Sequence, residues 1–369
     1  MGASTLDSLH QVLILGAGPA GLTLAGELQR RGLPCLVLEQ AGAVANSWRQ
    51  MPTNLKLVSP WKANALPGFN PRSWPRHATL TRAEYGDYLQ AYARERALPV
   101  RTGVVVRTVE RAGGGRFVVR TSAGDFTARF LVNATGCFSH PFLPEIPGAQ
   151  DSSIFQCHFA NYGDPDQLRA RLRGAHGPVL VVGQRLSAGQ VMTELADAGF
   201  SVALSHRRTI RFGPGPLGWW IFFRVHPWLE AFRLWRHGAK ARGFYAEMMG
   251  GRPRQLLRSG RVPTFPPIRC FEGDTVIFQD GRTLKPSAIV YATGFRPALK
   301  HLAALVLEET AGSPVLRELE SVSEPGLFFL GLDHARNFQS RFLRGIRNDA
   351  AFLAARLEKR LAGTGPIKS

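Results

Sequence analysis

The chain has 369 residues, 44% of them hydrophobic, and a formal charge of +19 at pH 7; this allows two or three packed domains and excludes a disordered or fibrous chain. Four scattered cysteines without a Cys-x-x-Cys pair exclude a metal cluster, a disulfide framework and a redox-active dithiol, and no apolar run reaches the ~18 residues that span a bilayer. No secretory pattern opens the chain, so a reducing cytoplasm is the expected compartment; the basic charge comes with no nucleic-acid motif and no basic block, so no nucleic-acid partner is expected.

The first predicted elements carry the strongest signal. Val12 to Leu15 is an apolar run that feeds Gly16-Ala17-Gly18-Pro19-Ala20-Gly21, and an alanine- and leucine-rich segment follows from Leu22 to Arg31. This is strand, tight turn and helix. Gly16 permits the turn, Gly18 lets the backbone approach a pyrophosphate, and Gly21 lets the helix pack close to the strand. The helix N-terminus then offers unpaired N–H groups and partial positive charge to phosphates. A second strand, Cys35 to Leu38, ends at Glu39 and Gln40, where a ribose hydroxyl needs an acceptor.

After Glu39 the chain turns irregular and aromatic. Asn46-Ser47-Trp48-Arg49 and Asn54-Leu55-Lys56-Leu57 lie among prolines at 60, 67, 71 and 75 that forbid long regular elements. Trp48 reads equally as core or as the wall of a cofactor site. Tyr85, Tyr88, Leu89 and Tyr92 recur at helical spacing between Thr81 and Arg96 and are expected to pack a helix. Strands follow at Val104 to Val106 and Phe117 to Val119, and a third, Phe130 to Val132, ends in Asn133-Ala134-Thr135-Gly136. Small residues at the carboxyl end of a strand let backbone approach a ligand.

The second half repeats this layout. Pro178 to Val182 runs into Gly183-Gln184-Arg185-Leu186-Ser187-Ala188, then helical periodicity, then a strand from Ser201 to Leu204. Arg207 and Arg208 are read at the place that Glu39 holds in the first unit, which suits a ribose bearing a 2′-phosphate; the alternative is a pair of solvated arginines. Arg185 replaces the middle glycine, so either its guanidinium binds phosphate or the site has weakened. Trp219 to Trp235 breaks the α/β rhythm. It reads as a lid over a substrate, as an amphipathic segment that leaves peripheral membrane contact open across residues 219–236, or as an apolar insert. Strands resume and end at Ala292-Thr293-Gly294, which repeats the ending of Ala134 to Gly136. The run Leu327 to Leu332 reaches Asp333, and a helix is expected from near Gln339.

These segments together resemble the flavin-containing monooxygenases, most closely bacterial single-chain flavoprotein monooxygenases and plant YUCCA-type enzymes. The carrying stretches are Gly16 to Gly21, Ser47 to Arg49 with Leu55 to Leu57, Pro144 to Gly148, Ser187-Ala188 and Ala292 to Phe295. The chain departs from the family at Ser152 and Ile154 of a linker fingerprint that keeps His158 and Tyr162, at Arg185, and at Val58. The resemblance implies an α/β fold with two Rossmann-like dinucleotide-binding domains, the NADPH domain inserted into the FAD domain. The expected division is 1–165 and 295–369 for FAD and 166–294 for NADPH, with an aromatic insert at 212–250.

It also implies an NADPH-consuming, FAD-dependent monooxygenase that passes one oxygen atom of O2 to a small organic substrate through a flavin C4a-hydroperoxide. The residues expected at the cofactors are Gly16, Gly18, Pro19, Ala20, Gly21, Glu39, Gln40, Ser47, Trp48, Arg49, Val106, Thr135, Gly136, Thr293, Gly294, Asp333 and Gln339, with Gly183, Gln184, Arg185, Ser187, Ala188 and Arg207 for the nicotinamide nucleotide. Lys56 and Asn54 are the expected hydrogen-bond donors to the reacting flavin. The rival readings are a flavin reductase or oxidase without oxygen insertion, and a flavin-binding partner protein at a membrane.

Overall fold

A computed structural model describes residues 9–59, 64–69, 79–172, 174–213, 248–310, 312–337 and 339–363. The chain divides into two compact units: Met1–Arg49, Lys56–His140 and Arg296–Ser369 form unit 1, and Gln50–Leu55 with Pro141–Phe295 form unit 2.

Unit 1 begins with β1 (His10–Leu15), α1 (Pro19–Arg30), β2 (Cys35–Leu38), α2 (Asn46–Arg49), α3 (Arg82–Glu95), β3 (Val100–Arg101), β4 (Val106–Ala112), β5 (Arg116–Thr121) and β6 (Gly124–Asn133). Unit 2 supplies β7 (Phe155–His158), α4 (Pro165–Arg171), β8 (Val179–Val182), α5 (Leu186–Asp197), β9 (Val202–Ser205), α6 (Arg252–Arg258), β10 (Thr264–Phe265), β11 (Ile268–Glu272), β12 (Thr275–Phe278), β13 (Thr283–Leu284) and β14 (Ala288–Tyr291). The chain then returns to unit 1 with β15 (Glu309–Thr310), β16 (Ser313–Pro314), β17 (Leu316–Arg317), β18 (Glu320–Ser321), β19 (Leu327–Phe329) and α7 (Leu343–Ala362).

Both units are built on one plan. In unit 1 the parallel strands run in the order β3-β2-β1-β6-β19; in unit 2 the order is β10-β9-β8-β14-β7. Each central strand is an uninterrupted apolar run, as a parallel strand covered on both faces requires: Val12 to Ile14 and Val179 to Val181 are completely buried. Antiparallel strands accompany each: β4 and β5 branch from β6 within the same nine-stranded sheet in unit 1, and β11-β12-β13 form a separate three-stranded sheet in unit 2. The unit boundary differs from the expected 165/166, because β7 pairs in register with β14 and carries residues 141–165 into unit 2. The later boundary lies between Phe295 and Arg296, one residue beyond the expected 294/295.

The helices follow their sequence signals. Pro19 sits at the first position of α1, where its missing N–H costs nothing. Thr81 and Glu84 close a reciprocal capping box on α3, and the tyrosine stripe of that helix (Tyr85, Tyr88 and Tyr92) is fully buried as core. The helix after Asp333 starts at Leu343 instead of near Gln339, since residues 339–342 form a turn that closes with the Phe342 N–H on the Gln339 carbonyl. The ends of the 212–250 insert are joined by a bridge between Phe212 and Met248; the aromatic stretch 219–236 lies outside the described residues. Among those residues no helix is long and apolar enough to cross a membrane.

Candidate functional site

The carboxyl ends of the parallel strands in unit 1 converge on the Gly16 turn. Gly16 has φ +103, and a Cβ there would stand 2.7 Å from the Ala134 carbonyl oxygen at the end of β6. Its N–H donates to the Leu38 carbonyl at the end of β2 at 2.7 Å, so the turn is held from both neighbouring strands. At Gly21 a Cβ would overlap the Gly16 carbonyl oxygen, which shows that this glycine closes the helix onto the turn. At Gly18 a Cβ would meet nothing within 4 Å. The middle glycine therefore borders open space, on the side where the α1 amides end, which suits an incoming pyrophosphate.

Glu39 is buried beside this turn. One carboxylate oxygen accepts the Ala17 N–H at 2.8 Å and the other the Ala41 N–H at 2.9 Å. Backbone donors thus fix the carboxylate's orientation at the strand end. Thr135 Oγ1 lies 3.0 Å from the Ala298 carbonyl oxygen and 3.1 Å from Asn133 Oδ1. Asn133 Oδ1 also accepts from His301 Nε2 at 2.9 Å. Burial holds His301 neutral and lowers its pKa to about 4, with His140 adding to the effect. Gly331, after β19, completes the edge: a Cβ there would stand 3.5 Å from that of Ala20.

Unit 2 reproduces this construction around Gly183. Its φ is +151, a Cβ would stand 2.5 Å from the Ala292 carbonyl oxygen, and its N–H donates to Ser205 at 2.9 Å. The Ala292 N–H donates to Val182 at 2.8 Å as the Ala134 N–H does to Leu15 at 2.9 Å. The two Ala-Thr-Gly endings are thus structurally equivalent. His158, fully buried, donates through Nε2 to the Gly294 carbonyl at 2.9 Å and accepts the Ala160 N–H at Nδ1. Both ring nitrogens are used, so this histidine ties β7 to the loop after β14, and burial lowers its pKa.

In unit 2, β9 ends one residue later than its sequence suggests. The Gly183–Ser205 bond matches Gly16–Leu38, so His206 stands at the position of Glu39 and Arg207 at that of Gln40. The acceptor role is also reversed: Gln184 Oε1 receives the N–H groups of Arg207 and Arg208 at 3.2 and 3.0 Å. Arg185 caps α5 with φ −102 and ψ −167, close to the −83 and −172 of Gly18. Ala188 replaces the third glycine and is buried against Gly183.

The profile of the pyridine nucleotide-disulphide oxidoreductase family matches residues 13–219. The chain belongs to this family. FAD and NADPH are the cofactors that the family uses. An uncharacterised CzcO-like oxidoreductase of Geobacillus kaustophilus is 27% identical over 94% of this chain and 98% of its own. Indole-3-pyruvate monooxygenase YUCCA1 of Oryza sativa subsp. japonica is 32% identical, with 77% of this chain and 76% of that one covered. A flavin-containing monooxygenase from Stenotrophomonas maltophilia has the same fold, with a TM-score of 0.81 at 24% identity over 96% of this chain and 99% of that one. The protein is thus an oxidoreductase of a flavin-dependent, monooxygenase-like kind.

The remaining expected residues of this oxidoreductase are distributed as follows. Pro19 and Ala20 open α1, Gln40 is exposed beside Glu39, Ser47 is half-buried in α2, and Val106 begins β4. Trp48 is buried, edge-on to Tyr85 at 4.9 Å and to Phe138 at 5.8 Å. Arg49 is engaged with Asp87 at 2.6 Å and Gln90 at 3.0 Å. Gly136 follows the β6 ending and accepts the Ala298 N–H, Ser187 lies in the first turn of α5, and the Thr293 hydroxyl bonds the Phe142 carbonyl. Asp333 pairs with Arg341 at 3.0 Å, and Gln339 is buried in the turn before α7. Lys56 is exposed in unit 1, bridging to Thr81.

Asn54 belongs to unit 2, and its amide donates to Glu194 Oε1 at 2.7 Å. Burial raises the Glu194 pKa, opposed by the bond from Asn54. The structure therefore places the two expected donors in different units. His301, His206 and Glu194 were not foreseen beside these residues; Asp349, an acid among the apolar positions Ile346, Ala350 and Leu353 of a helical repeat, was likewise passed over.

Proposed function

We propose that this oxidoreductase is an FAD-dependent, NADPH-consuming monooxygenase that places one oxygen atom of O2 in a small organic substrate. The observation that carries the reading is the paired construction of the turns: the side of Gly18 is open next to a buried carboxylate, and the matching turn of unit 2 ends beside Arg185, Arg207 and Arg208. The residues present fit both groups. Bound FAD supplies the redox and oxygen chemistry, and NADPH supplies the hydride.

The work of the chain is to bind, orient and keep water out. In unit 1, Gly16, Gly18, Pro19, Ala20 and Gly21 would hold the FAD pyrophosphate and Glu39 its ribose. Ser47, Trp48, Arg49, Val106, Thr135, Gly136, Asp333 and Gln339 complete the proposed flavin set of unit 1; Thr293 and Gly294 belong to unit 2. In unit 2, Gly183, Ser187 and Ala188 would receive the NADPH pyrophosphate with Arg185 as a charged partner, and Arg207 would hold the 2′-phosphate. Gln184 keeps the Arg207 backbone in place for that contact. Lys56 is the candidate donor to the reacting flavin; the Asn54 amide, expected as a second donor, is taken up by Glu194.

Units 1 and 2 are on this reading the FAD and NADPH domains. The free cysteines suit a reducing cytoplasm. The relatives' names put indole-3-pyruvate, a 2-oxo acid, first among substrates to try, followed by ketones, amines and sulfides.

Anaerobic mixing with NADPH should bleach the yellow flavin, and should do so faster than NADH. Readmission of air with substrate should give oxygenated product in step with NADPH consumed. Flavin that stays oxidised overturns the NADPH assignment. NADPH consumption matched by H2O2 across the whole substrate panel overturns oxygen insertion and leaves a reductase or oxidase.

A further inference from the structure

Asp349 is fully buried on α7, with Ile346, Ala350 and Leu353 as its buried neighbours on the helical face. Its Oδ1 accepts from Arg336 Nη1 at 2.8 Å, and the Ser340 hydroxyl bonds the same carboxylate. The Ser340 oxygen in turn accepts the N–H groups of Arg336 and Asn337, both at 3.1 Å. The Arg336 guanidinium lies 4.3 Å from the centre of the Phe352 ring, one turn further along α7. A Cβ at Gly345 would overlap the Gln339 carbonyl oxygen, so the turn before the helix is folded tightly onto the helix's own first residues.

The carboxylate is buried while the guanidinium is half-buried; such a pair seldom adds net stability over an apolar pair, because desolvation offsets the attraction, but removing one partner leaves the other charge uncompensated. What the pair touches is one stretch of backbone, through the Ser340 hydroxyl that accepts the Arg336 and Asn337 N–H groups. That backbone links Asp333 to Gln339, and it leaves β19 through Gly331, whose Cβ position faces Ala20 in the first turn of α1. The segment therefore borders the Gly16 turn at one end and the start of α7 at the other.

We infer that Asp349 is a positioning residue: through Ser340 and Arg336 it sets residues 333–337 and 339–342 in the conformation that receives the flavin. The inference rests on the FAD reading proposed above for unit 1, and assigns to this network a part in holding the cofactor that none of its members plays by touching it.

The test strips the protein of cofactor and titrates FAD into wild type, Asp349→Leu, Asp349→Asn, Ser340→Ala and the Asp349→Leu/Ser340→Ala pair. Melting of the apo-protein and amide exchange across 333–342 are followed in parallel. Groups that orient the ligating side chains of a metal change metal affinity by about 10-fold or more when mutated, and an effect of that order is expected for FAD by analogy. Asp349→Leu and Ser340→Ala should therefore weaken FAD by about that factor, Asp349→Asn less, with faster exchange in 333–342; the apo melting temperature should fall for Asp349→Leu, which leaves Arg336 without its carboxylate, and change little for Ser340→Ala and Asp349→Asn, which carry the decisive comparison. The pair should fall short of the product of the single effects, since both act through one network. Should Asp349→Leu fail to fold, Ser340→Ala and Asp349→Asn carry the comparison. Unchanged FAD affinity in variants of a wild type that binds it overturns the inference and spares the FAD reading. Affinity that drops only in step with apo melting overturns it as well. A wild type that takes up no FAD overturns both.

Discussion

At the middle position of the first turn stands Gly18, with φ −83 and ψ −172; at the same position of the second stands Arg185, with φ −102 and ψ −167. Both are extended conformations open to any residue. The outer glycines differ from this: Gly16 and Gly183 have φ +103 and +151, and each is pressed against the carbonyl of an Ala-Thr-Gly ending. The comparison separates two reasons for a glycine. The outer one is demanded by the path of the chain, and unit 2 has kept it. The middle one is demanded by whatever occupies the space beside it, and unit 2 has exchanged it for a cation.

The sharpest way to break this comparison is to move the cation. Gly18→Arg should fold normally, since the backbone is permissive and the Cβ position open, yet FAD affinity should fall on the order of 100-fold, equivalent to roughly 2.7 kcal/mol. Flavin content and apo melting, measured together, check it. Gly21→Ala should act in the opposite way, because the added methyl meets backbone; overpacking of this kind costs about 1–3 kcal/mol, read by urea unfolding of the apo-protein. Position 188, its counterpart, already carries alanine.

A smaller effect is expected in unit 2. Arg185→Gly and Arg207→Ala should each raise the KM for NADPH about 10-fold, close to 1.4 kcal/mol, while flavin content stays constant. Arg207→Ala should also narrow the preference for NADPH over NADH. If Arg185→Gly instead tightens NADPH, the guanidinium obstructs the site and the proposed phosphate contact is wrong.

The smallest effect concerns the two histidines that tie the strand endings, His301 in unit 1 and His158 in unit 2. Burial keeps His301 neutral in the fold, with a pKa near 4 against an ordinary 6.5. The unfolded chain therefore binds a proton that the folded chain refuses, so this contribution is intact above about pH 6.5 and is lost as the pH falls towards 4. Melting temperature followed over that window should drop in wild type by a few degrees more than in His301→Gln, whose amide can still donate to Asn133.

Much of this architecture could be read along the chain. The apolar runs before Gly16 and Gly183 became the central strands, the tyrosines of α3 are core, and the likeness of Ala134-Thr135-Gly136 to Ala292-Thr293-Gly294 reflects a true equivalence in the two sheets. Three features escaped for physical reasons. The register of Arg207 depends on where β9 stops pairing, and a strand end moves by a residue without any change in local pattern. The unit boundary depends on β7 pairing with β14, more than a hundred positions away in the chain. Asn54 looks like a free donor until the fold brings Glu194 within 2.7 Å.

Local order along the chain was enough to establish the strand, turn and helix that make each nucleotide turn, because glycine placement and apolar periodicity act over a few residues. Which side chains close those turns was decided by packing alone. Glu39 reaching back to Ala17, Gln184 reaching forward to Arg207, and Asp349 gathering Ser340 and Arg336 all join groups whose separation in sequence says nothing about their distance in space. Only burial makes such bonds obligatory, since a polar group removed from water must find its partner wherever the fold has put one.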